Sequence, residues 1–408
     1  MKLVGKRFLF TIATLVFIGV AATVAVLMAK GYTFSSKQGG LVGSGIISVA
    51  STPDGASVYI DGHLTTATNT NISGLTPKKY NVKIIKEGFI PWEKEVEVGE
   101  GIVSEVKATL FPALPTIYPL TYNGVLGPVL SPDGEKLAFA VPLVSDSPTR
   151  QKGGIWVWTM TSQPIALARS GEPHQIVAST TDLDFSKGTL RFSPDSTQVL
   201  VSLGTKGAAS ERNYLLPTDR QSSLGELRDI TATVTNTLKE WETDQKAKDD
   251  LRVLAIKNLE TRKIASASSQ LTANSSQPSA VSSQQLRWSP DETKFIVDSP
   301  QPTANGKQQK AESSKQSAKV YDLVMDKSYD LPEAKAYFWL PDSKHIILVA
   351  DGKVAISEFD GGNVATIYAG TFENSFVFPW PDASRLVILT TFNTPTASTP
   401  NLFGINLK

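Results

Sequence analysis

One short pattern recurs five times in this 408-residue chain and constrains its architecture more than any other feature. LSPDGEKLAF from Leu130, FSPDSTQVLV from Phe192, WSPDETKFIV from Trp288, WLPDSKHIIL from Trp339 and PWPDASRLVI from Pro379 align without gaps. Each has Pro-Asp, a variable pair, a polar or basic residue and then an apolar run. Proline presets φ, and the short Asp side chain bonds the backbone ahead of it, so Pro-Asp between apolar runs reads as a strand, a tight turn and a second strand. The polar position holds Lys136, Gln198, Lys294, His345 and Arg385. It is predicted at a solvated rim, which removes His345 as a catalytic candidate because Lys or Arg serves equally well there.

A second half-repeat follows each hairpin: GIWVWTMTSQPIALA, LRVLAIKNLETRKIA, AKVYDLVMDKSYDL, GKVAISEFDGGNVATIY and LFGINLK. Four of these contain a strand, a polar turn and a strand, while the last stops after one strand at Lys408. Four-stranded units repeated around an axis are the blades of a β-propeller. The incomplete last unit needs a partner strand, and Thr116–Tyr122 can supply it, removing the exposed edges of a ring. The Ser-Pro-Asp pattern resembles TolB-like and WD40-like propeller repeats over 116–408. The TolB-like form is the nearer one, since the Gly-His and Trp-Asp dipeptides of WD40 repeats are missing. Five repeats are visible, and Gly171–Gly188 leaves room for a sixth or more.

The repeat prolines Pro132, Pro194, Pro290, Pro341 and Pro381 lie 62, 96, 51 and 40 residues apart. The surplus falls at about 142–153, 204–250 and 299–318, predicted to emerge on one face. Within 204–250, Ser223-x-x-Glu226 has the form of a capping box. Leu224, Leu227, Ile230, Val234, Leu238 and Trp241 recur at helical spacing, which predicts a helix laid with this stripe against the propeller. Ser266–Gln285 and Pro300–Ala318 are Ser/Gln-rich with few apolar residues and are expected to be mobile loops. Trp156, Trp158, Trp288, Trp339 and Trp380 lie in or beside strands and are expected in the core.

At the other end, Phe8–Ala29 runs 22 residues without a charge. At about 1.5 Å per residue this reaches about 33 Å, enough for a hydrocarbon core of about 30 Å. The run exceeds the roughly 7–15 residues of a signal-peptide core, and Leu27-Met28-Ala29 lacks the small residue expected before a cleavage site. The expectation is therefore an uncleaved transmembrane anchor. Lys2, Lys6 and Arg7 predict residues 1–7 in the cytoplasm and the bulk of the chain outside the membrane. Residues 30–45 are Gly- and Ser-rich and read as a flexible spacer.

Residues 46–112 are strand-like throughout. IISVAS is followed by the turn Thr52-Pro53-Asp54-Gly55, then ASVYID and Gly62, and in WEKEVEVG Val96 and Val98 alternate with Glu95 and Glu97. Short strands without a helix signal predict a small sandwich. The run Pro53-Asp54-Gly55-Ala56, then Val58-Tyr59-Ile60-Asp61-Gly62, with Tyr80, Val82 and Gly88-Phe89 following, resembles the PEGA family of extracytoplasmic β domains. Two positions depart from it: Ala67-Thr68-Asn69-Thr70 replaces the usual Gly-x-Thr-Pro, and Lys78-Lys79 replaces Pro-Gly. The resemblance implies a cell-surface domain without catalysis. Asp54 and Asp61 read as turn formers rather than calcium ligands.

Composition narrows the chemistry. The chain has no Cys and only His63, His174 and His345, which removes disulfides, thiolate sites and Cys nucleophiles and leaves little for a His-rich metal centre. Forty basic residues against 39 acidic ones give +1 and offer nothing to a nucleic acid. Lys2, Lys6, Arg7 and Lys30 lie in the first 30 residues with no acid among them, leaving 36 basic and 39 acidic residues, a charge of −3, beyond. No nucleophile elbow, Walker loop, His-Glu-x-x-His or dinucleotide fingerprint occurs. The sequence therefore predicts an all-β membrane protein that is not an enzyme, with no catalytic, cofactor or metal residues and no assigned contact residues. It would use the membrane through Phe8–Ala29 and bind a protein or cell-envelope polysaccharide at the cell surface. The alternatives are a surface carbohydrate-active hydrolase with a carboxylate pair in the propeller and a scaffold in an envelope complex.

Overall fold

The computed structural model describes residues 2–29, 32–35, 40–143, 153–160, 171–204, 211–272, 286–298, 317–373, 376–392 and 399–408. The chain divides into two compact units, Met1–Leu114 and Pro115–Lys408.

The first unit opens with helix α1, Lys2–Ala29. The stretch of α1 whose side chains are described without a break, 10–26, is exposed throughout. Among the described residues no helix is long and apolar enough to cross a membrane. This overturns the transmembrane anchor predicted at Phe8–Ala29. The N-in topology, the membrane as a partner and the surface location rested on that anchor and are withdrawn with it. Tyr32–Ser35 and Gly40–Gly43, within the stretch read as a flexible spacer, pair as an antiparallel hairpin.

A two-sheet sandwich follows. In one sheet Gly45–Thr52 is central, antiparallel to Thr70–Leu75 and parallel to Val103–Thr109. The other runs His63–Ala67, Ser57–Ile60, Lys78–Ile85, Trp92–Val98. Ile47, Val49, Val58, Val82, Ile84, Trp92 and Val106 form the shared core. The two-residue period of each strand sends these inward and leaves Lys79, Lys83, Glu93 and Glu95 outside, where they pair across strands at 3.0 and 3.1 Å.

Among the described residues the second unit holds five four-stranded antiparallel sheets. Sheet A holds Leu126–Leu130, Lys136–Val141, Gly154–Thr159 and His174–Ala178. Sheet B holds Thr189–Phe192, Gln198–Leu203, Arg212–Pro217 and Arg228–Asp229. Sheet C holds Arg287–Trp288, Lys294–Asp298, Ala318–Asp322 and Lys327–Asp330. Sheet D holds Ala336–Trp339, His345–Ala350, Lys353–Glu358 and Ala365–Ala369. Sheet E takes Val377–Pro379, Arg385–Thr390 and Asn401–Asn406, and its fourth strand is Ile117–Pro119 from the start of the unit. There Ile117 faces Ile405 and Tyr118 faces Gly404. His174–Ala178, in the length considered for a sixth unit, is the fourth strand of sheet A.

All five Pro-Asp turns share one geometry. The residue before the proline donates its amide to the carbonyl of the polar position at 2.8–2.9 Å, as from Ser131 to Lys136 and from Trp380 to Arg385. Each Asp Oδ1 accepts the amide two residues on, from Glu135, Thr197, Thr293, Lys344 and Ser384, at 2.8–3.2 Å. The residue after each Asp is left-handed: Gly134, Ser196, Glu292, Ser343 and Ala383, with φ between 54° and 73°. The polar position is not a solvated rim, since His345 is buried and the other four are only partly exposed. Lys136 Nζ donates to Ser196 O at 2.9 Å in the turn of the next sheet, and Arg385 lies 4.7 Å from the Trp380 ring centroid.

Apolar clusters join sheets A and B through Ala138, Val157, Phe192 and Val199, sheets A and E through Phe139, Trp158, Trp380 and Val387, and sheets C and D through Val320, Trp339 and Ile346. Sheets B and C are joined differently. Helix α2, Val234–Leu254, packs Val234, Leu238 and Trp241 on Leu200 and Leu215 of sheet B. Its Val253, with Ile256 of the connection that follows and Ala265 of helix α3, Leu259–Thr272, covers Phe295 of sheet C. The propeller expected for 116–408 is thus corrected to five discrete sheets: no closed sheet forms among the described residues, and between B and C the apolar clusters run through a helix pair. The predicted helix begins at Val234, since Ser223 Oγ and Glu226 Oε2, 2.9 Å apart, close a 3-10 turn instead. Residues 266–272 belong to α3 and Ala318 opens a strand of sheet C, while 273–285 and 300–316 of the predicted loops lie outside the described residues.

Candidate interaction surface at the helical elbow

The titratable residues singled out by sequence serve the fold. Asp61, with φ 48°, accepts from the Asn81 amide at 3.0 Å and from Lys78 Nζ at 2.7 Å. Those two bonds hold its carboxyl below the usual range. Asp54 lends only its carbonyl, to Lys86 Nζ at 2.8 Å. His174 Nε2 lies 2.9 Å from Thr218 O, and His63 is exposed. His345 is buried with Nδ1 2.5 Å from Asp342 Oδ2. Burial opposes the charged form of Asp342, yet the bond to the His345 ring and the amides of Lys344 and His345 prevail and lower its pKa. Among the described residues no group of three or more His, Asp or Glu gathers in a metal-holding arrangement.

Buried carboxylates are engaged structurally. Asp298 forms a two-pronged ion pair with Arg287, whose carbonyl accepts from Trp339 Nε1 at 2.9 Å. Beside them burial pushes the Tyr337 phenol up to about 12, and its oxygen donates to Pro332 O at 2.9 Å. Asp322 Oδ1 accepts the amides of Val324 and Met325 at 2.9 and 3.0 Å. Among the described residues no closed sheet surrounds these acids, so the propeller expected around a carboxylate pair is not found. Trp158, Trp339 and Trp380 are buried, and Trp156 and Trp288 pack against the core, so none forms a sugar-stacking platform.

What the helices and sheet C expose together is apolar. Asn258, between α2 and α3, caps α3 by accepting the amides of Glu260 and Thr261 at 2.9 and 3.1 Å. Its Nδ2 donates to both oxygens of Asp326 at 3.0 and 2.9 Å, joining the elbow to the turn 322–327 of sheet C. The elbow is braced from within by Arg262, which donates to Ile256 O from Nε at 2.8 Å and also from the guanidinium tip. Around this joint Leu251, Leu254, Leu259, Val324 and Met325 are each 58–72% exposed. Both backbones beneath them are fixed, the turn by Asp322 and the elbow by Asn258. A group of large apolar side chains held outward on ordered backbone marks an interaction surface rather than a frayed end. None of the five was singled out from the sequence. The signal was present nonetheless: at about 100° per residue, Leu254 falls opposite the Val234–Leu238–Trp241 stripe and Leu251 about 100° to its side.

The fold is thus a β-sandwich followed by five four-stranded sheets with a helix pair between two of them. Its sandwich has a family: the PEGA domain matches residues 44–113. No curated protein matches the chain. Solved structures similar to it include a TolB from Agrobacterium tumefaciens described as putative, 15% identical over 67% of this chain and 76% of that one, with a TM-score of 0.23. TolB from Acinetobacter baumannii is 14% identical over 81% and 60%, at 0.24. An oligogalacturonate lyase from Vibrio parahaemolyticus is 7% identical over 81% and 86%, at 0.27. At that level the likeness is weak and assigns neither an activity nor a partner. The membrane-anchored surface binder predicted from sequence is accordingly reduced to a PEGA domain joined to a β-sheet unit.

Proposed function

We propose that this chain is a non-catalytic protein-binding module whose docking surface is the α2–α3 elbow with the 322–327 turn. The observation that carries the reading is that Leu251, Leu254, Leu259, Val324 and Met325 are left exposed on the two backbone segments that the Asn258–Asp326 bond joins. Apolar contact area of this kind drives protein association. The buried acids Asp298 and Asp322 support the non-catalytic part, because each is spent on holding a strand or turn in place.

The test is site-specific photo-crosslinking in the producing cell, with the reactive group at position 254 and, as a control, at Lys79 on the sandwich. A discrete polypeptide adduct is expected at 254, absent at 79 and lost when Met325→Glu is added. Equal adducts at both positions, or turnover of a substrate by the purified chain, would overturn the reading.

A further inference from the structure

We propose that the Met325 thioether is a modification site, at which oxidation by a peroxide weakens docking on the elbow. This rests on the docking reading above and adds its regulation.

Leu251, Leu254, Leu259 and Val324 are hydrocarbon side chains with no atom that a mild two-electron oxidant attacks. Met325 alone among the exposed group has one, its sulfur. The chain has no Cys and four Met, so thioethers are the only sulfurs it offers an oxidant. Two of the four side chains are described. Met160 is 2% exposed, inside the cluster that joins sheets A and E, whereas Met325 is 58% exposed. Burial shields the first from a dissolved oxidant and exposure opens the second. The Met325 backbone is also fixed. Asp322 Oδ1 accepts its amide at 3.0 Å, and the next residue, Asp326, accepts from Asn258 of the elbow. A change at this sulfur is therefore made on the docking surface itself.

Hydrogen peroxide balances the step. A sulfur lone pair attacks one peroxide oxygen, and the S–O bond forms as the O–O bond breaks. The sulfur loses two electrons, and the second oxygen leaves with both protons as water. The sulfoxide carries an acceptor oxygen where docking buries apolar surface, and burying that oxygen without a donor costs free energy. A methionine sulfoxide reductase reverses the step with two thiols, which end as a disulfide and water.

The test has two readouts. Peptide mapping of the full-length chain in dilute hydrogen peroxide should show Met325 oxidised about tenfold or more faster than Met160. In the producing cell, a brief peroxide pulse before photo-crosslinking should cut the position-254 adduct about fivefold or more. Met325→Leu removes the sulfur, so its adduct, whatever the untreated level, should not respond to the pulse. That variant separates Met325 from oxidation of the partner. Met325→Gln, polar and uncharged, should lower the adduct with no peroxide present. Oxidation of Met325 no faster than Met160, an adduct unchanged by the pulse, or an equal fall in Met325→Leu overturns the proposal and leaves the docking surface standing. Absence of the position-254 adduct from untreated cells sinks both.

Discussion

Arg252 Nε donates to Glu292 Oε1 at 2.8 Å, joining α2 to the Pro-Asp turn of sheet C. One turn earlier on the same helix, Lys248 Nζ donates to Pro194 O at 3.2 Å in the equivalent turn of sheet B. Between sheets A and B, and between C and D, neighbouring turns touch directly: Ser196 Oγ accepts from the Asp133 amide at 3.4 Å, and Ser343 Oγ from the Asp291 amide at 3.0 Å. At the seam between B and C the helix replaces that contact.

The seam is held by burial more than by charge. Trp241→Ala should therefore destabilise the second unit by about 3–5 kcal/mol. Arg252→Ala, which removes a partly exposed pair, should cost less than about 1 kcal/mol. Urea unfolding of the two variants measures both, and equal small losses would mean that α2 is an ornament.

The left-handed position of the turns gives a prediction with opposite signs. Gly134→Ala adds a side chain where nothing lies within 4 Å, so only backbone strain opposes it, at about 1–2 kcal/mol. Ala383→Gly relieves the same strain and gives back part of it in chain entropy, for a net gain of about 0.5–1 kcal/mol. Thermal midpoints of the two variants should move in opposite directions.

Closure of sheet E makes the end of the chain essential to the second unit. Asn401–Asn406 lies between Ile117–Pro119 and Arg385–Thr390, and Leu402 is fully buried. Leu402→Ala should cost about 2–5 kcal/mol. Removing 401–408 should leave Ile117–Pro119 unpaired and one edge of Arg385–Thr390 open, and replace the cooperative melt of this unit with a broad one, visible by calorimetry.

Acid should act on the sheet D turn through Asp342. Its folded pKa lies below its unfolded value, so its contribution is fully present above the unfolded pKa of about 3.9. It is lost as pH falls through the folded value. Asp342→Asn should be destabilising by about 1–3 kcal/mol at neutral pH, where it leaves buried donors poorly matched. The gap to the native chain should close in strong acid. A gap that stays constant from neutral pH into strong acid would falsify this role.

The five turns were legible because their chemistry is local: Pro sets φ and Asp bonds two residues ahead, whatever the rest of the fold does. Their left-handed residue was visible only at Gly134, since Ser196, Glu292, Ser343 and Ala383 carry no signal for it. The start of α2 was misplaced because a tertiary partner outcompeted a local one. Ile230 N donates to Asn213 O at 2.8 Å and Thr231 Oγ1 accepts from Asn213 N at 2.8 Å, which draws the chain to the edge of sheet B and delays the helix. How the sheets meet was hidden for a related reason. Repeats located the first hairpin of each unit. The half-repeat LRVLAIKNLETRKIA, read as strand, turn and strand, forms the end of α2 and the start of α3, and sheet B takes Arg212–Pro217 and Arg228–Asp229 instead. Which units touch depends on where 234–272 inserts. The elbow escaped notice because exposure of Leu254 or Met325 is a property of what surrounds them, and a Leu in a helical pattern reads as core.

Pairing of Ile117–Pro119 with Asn401–Asn406 has a mechanical consequence. Tension arriving along the chain from residue 114 reaches a strand clamped to the last one, with Thr116 O accepting the Asn406 amide at 3.0 Å. The second unit can be pulled open from its N-terminal side only by first peeling Ile117–Pro119 off Asn401–Asn406, so its resistance to force is set at sheet E and not at the first hairpin it makes.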